Sequence, residues 1–244
     1  MINKLQHHHS IYANKTVEWF STDSKEFYQE NLKDTKKLET ISRNGWIDST
    51  IEYKFNSHGF RSDEFEASAN SFMFLGCSFT LGTGVPIEVT WPYLVAQHYD
   101  VKNFNLGISG GSNDTAFRLA NHYVNELKPK LVLFAATMTN RLDISTDEGI
   151  TTLRYNSIPD RFNNQFYREW LTYDENCQLN WRKNLLAIKH VCRNANIPFI
   201  EVSLSKIVSW PLIDNGRDIM HPGPIIHKNI ADYAISLIEN GDAG

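Results

Sequence analysis

Short apolar runs alternate with longer amphipathic stretches along the chain from Ser71 onward. Four runs have the length and apolar character of buried strands, and they are FMFL (72–75), NFNL (103–106), LVLFAA (131–136) and FIEVSL (199–204). Apolar residues recur at helical spacing in three stretches, which are marked by Ala116, Ala120, Tyr123 and Leu127, by Trp181, Leu185, Ile188, Cys192 and Ala195, and by Ile226, Ile230, Tyr233 and Leu237. Ser112 is suited to cap the first of these helices, and Pro224 is suited to the first turn of the last. This alternation predicts an α/β fold in which a parallel sheet carries helices on both faces.

The residues before Ser71 follow a different pattern. A polar stretch over about 24–38 is predicted to be helical. Ile51, Tyr53 and Phe55 then alternate with polar residues, as in a half-buried strand, and a turn is predicted over 56–59. We therefore predict an N-terminal extension over residues 1–68, made of a helix and an edge strand, followed by the α/β domain over 69–244.

Composition and charge narrow the class of protein. The chain has 244 residues, of which 41% are apolar and 21% charged, and its formal net charge of -4 gives no electrostatic support to a nucleic-acid partner. No apolar run approaches the length of a membrane span, and the N-terminus lacks the apolar core of a signal peptide, so we predict a cytoplasmic protein with no membrane partner. The oligomeric state stays open. The histidine run at 7–9 is interpreted as a solvated tail or part of a tag.

The three cysteines are an odd number and include no C-x-x-C pair. This pattern argues against a disulfide framework and against a thiolate zinc site, and it fits a reducing compartment.

Polar residues and glycines follow the predicted strands, where the active site of a parallel sheet lies. They occur in the segments GCSFT (76–80), NLGISGGSND (105–114) and TMTNRLD (137–143), and a fourth segment, RDIMHPGP (217–224), precedes the last helix. Each segment alone is more often a turn or a structural feature. The glycines at 107, 110 and 111 could form a nucleotide-binding loop, but GISGGS does not match G-x-G-x-x-G and no Walker-type G-K-[ST] is present.

Taken together, the segments contain the parts of a serine ester hydrolase. Ser78 lies at the end of the first predicted strand, where its hydroxyl can face the cleft, and His221 could accept its proton. Asp218 is three residues before His221, so one turn could hold both side chains in the same cleft. The backbone N–H of Gly110 and the side-chain amide of Asn140 follow neighbouring strands, and both could point at a developing oxyanion.

The order of these segments resembles the SGNH (GDSL-type) hydrolases over about residues 70–240. The resemblance implies a three-layer α/β/α sandwich of flavodoxin-like type. It implies Ser78 as the nucleophile, His221 as the base and Asp218 as the residue that orients His221. The implied oxyanion hole comprises the Ser78 N–H, Gly110 and Asn140. The lead-in YKFNSHGFRSDEF also looks like the segment that precedes the first block in some members.

Two segments depart from the family pattern. The usual G-D-S is G-C-S here, so that Cys77 replaces an acidic residue, and the usual G-x-N-D is Met138-Thr139-Asn140-Arg141. Cys77 could in principle be the nucleophile. We prefer Ser78, because Cys77 is one residue early and its side chain should point away from that of Ser78.

The predicted function is hydrolysis of an acyl ester through an acyl-enzyme intermediate, without a cofactor or a metal ion. The substrate is expected to be a small-molecule or carbohydrate ester, with a preference for a carbohydrate O-acetyl ester. A non-catalytic ligand-binding protein on the same fold, for example a glycan-binding one, is the alternative, and lipase, thioesterase and acyltransferase activities stay open. The aromatic-rich segment 141–172 could be a lid, a platform for a sugar ring or an excursion packed against the core.

Overall fold

The structure is a computed structural model, and it describes residues 9–67, 70–147 and 149–241. The predicted boundary between residues 68 and 69 lies outside the described residues, as do His7 and His8. His9 is 3% exposed, and its ring packs edge-on against Phe20 with 4.7 Å between centroids. For His9 the interpretation as a solvated tail is therefore wrong, because the imidazole belongs to an aromatic cluster.

The chain forms eight strands and eight α-helices. The strands are β1 (Thr16–Val17), β2 (Tyr53–Lys54), β3 (Ser71–Leu75), β4 (Lys102–Asn105), β5 (Leu131–Phe134), β6 (Arg141–Thr146), β7 (Gly149–Arg154) and β8 (Phe199–Glu201). The helices are α1 (Lys25–Asn31), α2 (Thr35–Arg43), α3 (Ser78–Leu81), α4 (Trp91–His98), α5 (Asn113–Leu127), α6 (Gln165–Thr172), α7 (Asp174–Asn194) and α8 (Pro224–Glu239). These counts refer to the described part of the chain.

Four of the strands form the central sheet, in the order β4-β3-β5-β8, and all neighbouring pairs are parallel. Counted in chain order within the sheet, this is the 2-1-3-4 order of flavodoxin-like folds. One face is covered by α5 and α7 and the other by α4 and α8, each over its own buried apolar cluster. The predicted three-layer α/β/α architecture is confirmed.

The helices on the sheet begin where their sequences predict. Ser112 caps α5 by accepting a hydrogen bond from the Thr115 N–H, and the Thr115 hydroxyl accepts from the Ser112 N–H in return. Pro224 occupies the first turn of α8. The last predicted strand is shorter than the apolar run, because β8 ends at Glu201 and the chain then turns through a short 3₁₀ helix over Leu204–Lys206.

The N-terminal region departs from its prediction in two respects. The single helix expected over 24–38 is two helices, α1 and α2. Asp34 separates them, because its carboxylate accepts hydrogen bonds from the N–H groups of Lys36 and Lys37 and so begins a new helix. The predicted strand is present only as β2, which pairs antiparallel with β1.

A third buried cluster joins the N-terminal region to the sheet domain. It contains aromatic and aliphatic side chains from residues 20–55 together with Leu81 and Val85, which follow the first strand of the central sheet. Arg61 is 1% exposed and donates to the carbonyl oxygens of Gly82 and Val85 at 2.6 and 3.0 Å. The N-terminal region is thus packed directly against the segment that follows β3.

None of the helices in the described part of the chain is long and apolar enough to span a membrane.

Candidate active site

Ser78 lies at the carboxyl end of the central sheet, directly after the chain leaves β3. It is the first residue of the short helix α3, and it is 5% exposed. The chain turns within two residues from the end of β3 to the start of α3, so that Ser78 lies at the carboxyl edge of the sheet and is largely buried. Ser78 therefore lies at the end of a strand of the central sheet, as the sequence predicts.

His221 and Asp218 lie on the loop that precedes α8, and this loop docks on the backbone of Gly84. The Arg217 N–H donates to the Gly84 carbonyl at 2.7 Å. Gly84 has a φ of +83°, and a Cβ built there would lie 3.1 Å from Asp218 Oδ1 and 3.1 Å from the Arg217 nitrogen. The second glycine after Ser78 therefore lets the loop bearing Asp218 approach the segment bearing the serine.

The structure brings Ser78, His221 and Asp218 into one hydrogen-bonded chain. The His221 Nε2 is 2.8 Å from the Ser78 Oγ, and the His221 Nδ1 is 2.6 Å from Asp218 Oδ2. The His221 side chain is 12% exposed and the Asp218 side chain is fully buried. Nε2 is therefore placed to accept the hydroxyl proton, while the Nδ1–H donates to the carboxylate.

Asp218 is stabilised in its ionised form. Burial alone would raise its pKa, but hydrogen bonds to the carboxylate from His221, from the Thr22 hydroxyl and from the Met220 N–H outweigh burial and hold the pKa below its ordinary value. The His221 N–H also donates to Asp218 Oδ1, at 3.1 Å. Each carboxylate oxygen thus has donors, and the carboxylate is fixed in one orientation.

Thr22, which sequence reasoning missed, reaches this carboxylate from the N-terminal region. Its hydroxyl donates to Asp218 Oδ2 at 2.6 Å and lies 3.4 Å from the His221 Nδ1. The two residues are 196 positions apart. No sequence signal points to Thr22, because a lone threonine before a polar helix is commonplace.

Gly110 lies in the loop between β4 and α5, with a φ of +72°. A Cβ at this position would lie 1.8 Å from the Arg154 Nη2, so that the guanidinium group of Arg154 packs directly on the glycine. This loop also meets the N-terminal region, since the hydroxyl groups of Ser109 and Ser21 are 2.6 Å apart. Arg154 is a second residue that sequence reasoning missed. It lies in the segment 141–172, which was noted for its aromatic residues and not for this arginine.

Asn140 is half-buried at the end of the loop that follows β5. It lines a cavity of about 550 Å³ together with Met138, Thr139, Tyr155, Leu171, Thr172, Asp174 and Cys177. Neither Ser78 nor His221 is among these described lining residues. Its predicted role as an oxyanion donor, like that of Gly110, stays a prediction.

Cys77, the alternative nucleophile, and His227, a second histidine six residues after His221, take other places. Cys77 is a buried free thiol, whereas the ring nitrogens of His221 contact Ser78, Asp218 and Thr22. His227 is fully buried in α8, where its Nδ1 accepts a hydrogen bond from the Trp91 N–H at 3.2 Å. Burial, with smaller contributions from Arg61 and His221, lowers the pKa of His227 to about 3, and the imidazole is therefore neutral.

The segment 141–172 forms the antiparallel hairpin of β6 and β7, followed by a 3₁₀ turn at Asp160–Phe162 and α6. Its aromatic rings lie outside the buried core: Tyr155 and Phe166 are 59% and 66% exposed, and the others are half-buried. None of these rings belongs to the three buried apolar clusters of the described residues. Within the described residues, no group of three or more His, Cys, Asp or Glu side chains is arranged to hold a metal ion.

The chain is similar to several proteins of known structure. No family model matches the chain, and no curated protein sequence matches it. A protein described as a lipolytic member of the G-D-S-L family, from Desulfitobacterium hafniense DCB-2, is 15% identical with a TM-score of 0.36, over 69% of this chain and 99% of its own. The psychrotrophic esterase EstA from a Pseudoalteromonas species is 17% identical with a TM-score of 0.40, over 72% of this chain and 100% of its own.

A family 3 carbohydrate esterase from Clostridium thermocellum is likewise 16% identical with a TM-score of 0.40, over 72% of this chain and 99% of its own. At these identities and TM-scores the likeness supports no conclusion about fold, activity or substrate. The strand order and the two helical layers independently define the architecture. The chain thus has the three-layer, flavodoxin-like α/β/α fold that its resemblance to the SGNH hydrolases implies.

Proposed function

We propose that this protein is a serine ester hydrolase in which Ser78 is the nucleophile, His221 the base and Asp218 the residue that orients the imidazole. The observation that carries the proposal is the continuous chain of hydrogen bonds from the Ser78 Oγ through His221 to Asp218, at 2.8 and 2.6 Å. A serine hydroxyl is a weak nucleophile unless a base removes its proton, and this chain supplies the base and its orientation.

The reaction has two halves. The Ser78 Oγ attacks the ester carbonyl carbon as its proton moves to the His221 Nε2, and collapse of the tetrahedral intermediate breaks the bond to the alcohol oxygen, which takes that proton. A water molecule then attacks the carbonyl carbon of the acyl-Ser78 ester as one of its protons moves to Nε2. Collapse of this second tetrahedral intermediate breaks the bond to the Ser78 Oγ, which takes that proton back as the carboxylic acid leaves. Asp218 transfers no proton, because its low pKa keeps it ionised beside the imidazolium.

The oxyanion of both intermediates requires donors near Ser78. The Ser78 N–H, the Gly110 N–H and the Asn140 amide are proposed for this role, each worth about 3 kcal/mol of barrier in a preorganised site. Gly110 is supported by its place in a loop that contacts the N-terminal region next to Thr22.

A carbohydrate O-acetyl ester is the proposed substrate class. The cavity beside Asn140 combines hydrogen-bonding groups with the exposed ring of Tyr155, a combination that suits a sugar. A non-catalytic glycan-binding protein would use the same cavity without reaction at Ser78, and it is the alternative that the following experiment separates.

The test compares wild-type protein with Ser78→Ala on p-nitrophenyl esters of increasing chain length and on acetylated sugars. We expect hydrolysis by the wild type and a loss of about 10³-fold or more in the variant, with an unchanged circular-dichroism spectrum. A fluorophosphonate probe should label the wild type and not the variant. Activity retained by Ser78→Ala would remove the proposed nucleophile, and absence of both labelling and hydrolysis in the wild type would favour the binding protein.

A further inference from the structure

The guanidinium group of Arg154 has no charge partner in the described part of the chain. Its side chain, at the end of β7, is half-buried and forms no hydrogen bond or ion pair with any described residue. Burial lowers the pKa of Arg154 and the neighbouring cation of Arg141 lowers it further, while a smaller contribution from Cys77 raises it. A half-buried cation beside a second cation is costly unless an anion compensates it.

The nearest acid on the paired strand does not supply that anion. Asp143 lies on β6, and its carboxylate accepts from the Arg118 guanidinium at 2.7 Å and from the hydroxyl groups of Thr115 and Thr152 at 2.9 and 2.8 Å. Its side chain is only 6% exposed. Asp143 is therefore already neutralised by Arg118, and it forms no ion pair with Arg154.

Arg154 lines a second cavity, of about 260 Å³, between the N-terminal region, the glycine loop and the hairpin. The other described lining residues are His9, Tyr12, Phe20, Ser21, Ser109, Thr151 and Thr152, and none of these is acidic. The cavity therefore offers one cation and several hydroxyl groups to a ligand, in a volume that suits a small functional group rather than a whole sugar.

This cavity adjoins the candidate active site on two sides. The Arg154 guanidinium packs on Gly110, which is the proposed oxyanion donor. Ser21 lines the cavity, and the next residue, Thr22, donates to Asp218. A group bound beside Arg154 therefore lies against the Gly110 loop and next to the residue that precedes Thr22, where a second group of a substrate esterified at Ser78 would bind.

We propose that Arg154 binds a carboxylate of the substrate, so that the natural ester is an acidic one. The planar guanidinium fork matches a carboxylate in a bidentate pair, and the hydroxyl groups around it can satisfy the remaining lone pairs. This inference rests on the proposed ester hydrolysis and adds the charge of the substrate to it.

The test uses two aryl acetates, 4-acetoxybenzoate and its methyl ester, which differ in the charge of the para group; the methyl ester has the better phenolate leaving group, so a preference for the acid would have to come from binding. The wild type should hydrolyse the acid with a kcat/KM about tenfold or more above that of the methyl ester, and added salt should reduce the preference. Arg154→Gln should remove the preference by raising KM for the acid, and the methyl ester should stay within about threefold of wild type. Arg182→Gln removes the same charge from an exposed position on α7 that does not line the cavity, and it should change neither ester.

Equal hydrolysis of the two esters by the wild type would overturn the inference. An equal loss of kcat on both esters in Arg154→Gln would also overturn it, because the residue would then act on the oxyanion or on the fold.

Calorimetric titration with 4-hydroxybenzoate and its methyl ester separates this inference from the proposed function. Binding of the acid alone, lost in Arg154→Gln, would support the carboxylate site even in a protein that hydrolyses neither acetate. Hydrolysis of both esters without selective binding of the acid would leave the proposed function standing and remove the carboxylate site.

Discussion

The N-terminal region, residues 9–67, and the sheet domain that follows it contribute to the candidate active site in different ways. The sheet domain positions Ser78 through its backbone, since the residue follows directly on a strand of the central sheet. The N-terminal region has only a two-residue strand pair and short helices, and it reaches the site through side chains such as Thr22. The central sheet thus determines the position of Ser78. Side chains of the N-terminal region hold the loop that carries His221 and Asp218.

A buried ion pair between Asp23 and Arg217 shows most clearly how the N-terminal region holds this loop, because it lies next to the hydrogen bond between Thr22 and Asp218. Arg217 precedes Asp218 and Asp23 follows Thr22, and the guanidinium makes two 2.9 Å hydrogen bonds to the carboxylate with both side chains fully buried. Tyr53 donates to the same carboxylate at 2.6 Å. Because each residue of the pair is adjacent to one partner of the Thr22–Asp218 hydrogen bond, the ion pair also fixes that bond.

Further contacts from the N-terminal region hold the same loop. Arg217 donates to the carbonyl oxygens of Ser49 and Glu18, and its guanidinium lies 3.8 Å from the ring centroid of Trp19. The Trp46 indole N–H donates to the Asn215 carbonyl at 2.6 Å. The loop that presents His221 is therefore held by the N-terminal region as well as by Gly84.

The largest effect is expected within the sheet domain, at His221. His221→Ala should lose about 10³-fold or more in kcat/KM, because His221 is the base that contacts the Ser78 hydroxyl, at 2.8 Å, among the residues that the structure describes. His227→Gln, at the buried and neutral histidine of α8, should stay within about threefold once folding is checked by circular dichroism. Comparable losses in both variants would show that the base has been misassigned.

The next largest effect concerns the stability that the N-terminal region provides. Asp23→Asn should lower the free energy of unfolding by about 3–5 kcal/mol, because it leaves the Arg217 cation buried without a counter-charge. Urea denaturation measures this loss. Asp232→Asn removes an acid from an exposed pair with Lys228 and should cost about 0.5 kcal/mol or less. Similar midpoints for the two variants would mean that the N-terminal ion pair does not support the fold.

A smaller effect is expected at Thr22, where the N-terminal region touches the catalytic groups. Thr22→Val removes the hydroxyl at constant size and should lower kcat about tenfold, whereas Thr22→Ser keeps the donor and should retain most activity. The hydrogen bond from Thr22 contributes to the lowered pKa of Asp218. Its loss should move the pKa of the carboxyl back towards its ordinary value and loosen the orientation of the carboxylate that holds the imidazole.

A role of Thr22 in packing alone would give a different result. Thr22→Val and Thr22→Ser would then differ in thermal stability, and the kcat of both variants would equal that of the wild type.

The smallest effect is expected at Cys77, which lies next to the nucleophile within the sheet domain. Cys77→Ala should keep kcat within about threefold, and thiol reagents should inhibit poorly, because the thiol is buried and His221 bonds to Ser78. The measurement is hydrolysis of a p-nitrophenyl ester with and without iodoacetamide. Loss of activity in Cys77→Ala with activity retained in Ser78→Ala would exchange the two roles.

The sequence by itself determined the sheet domain and the neighbourhood of the candidate site. Apolar runs and helical periods are local signals, and in a parallel sheet every strand delivers its carboxyl end to the same edge. Ser78, at the end of such a strand, could therefore be expected at the cleft, and Ser112 and Pro224 marked the starts of their helices. Sequence reasoning missed the division of the N-terminal helix at Asp34. Only the hydrogen bonds from two backbone N–H groups to the Asp34 side chain start the second helix, and the surrounding polar sequence is equally compatible with one continuous helix.

Only the tertiary structure decided how the N-terminal region and the hairpin meet the site. Thr22 and Asp218 are 196 residues apart, and Arg154 packs on Gly110 from a different element. Such contacts depend on how loops are held by Gly84 and by the buried Asp23–Arg217 pair, and no periodicity in the chain encodes them. A side chain that acts through one long-range hydrogen bond leaves no pattern among its sequence neighbours, so it becomes visible only when the loops that carry it are packed together.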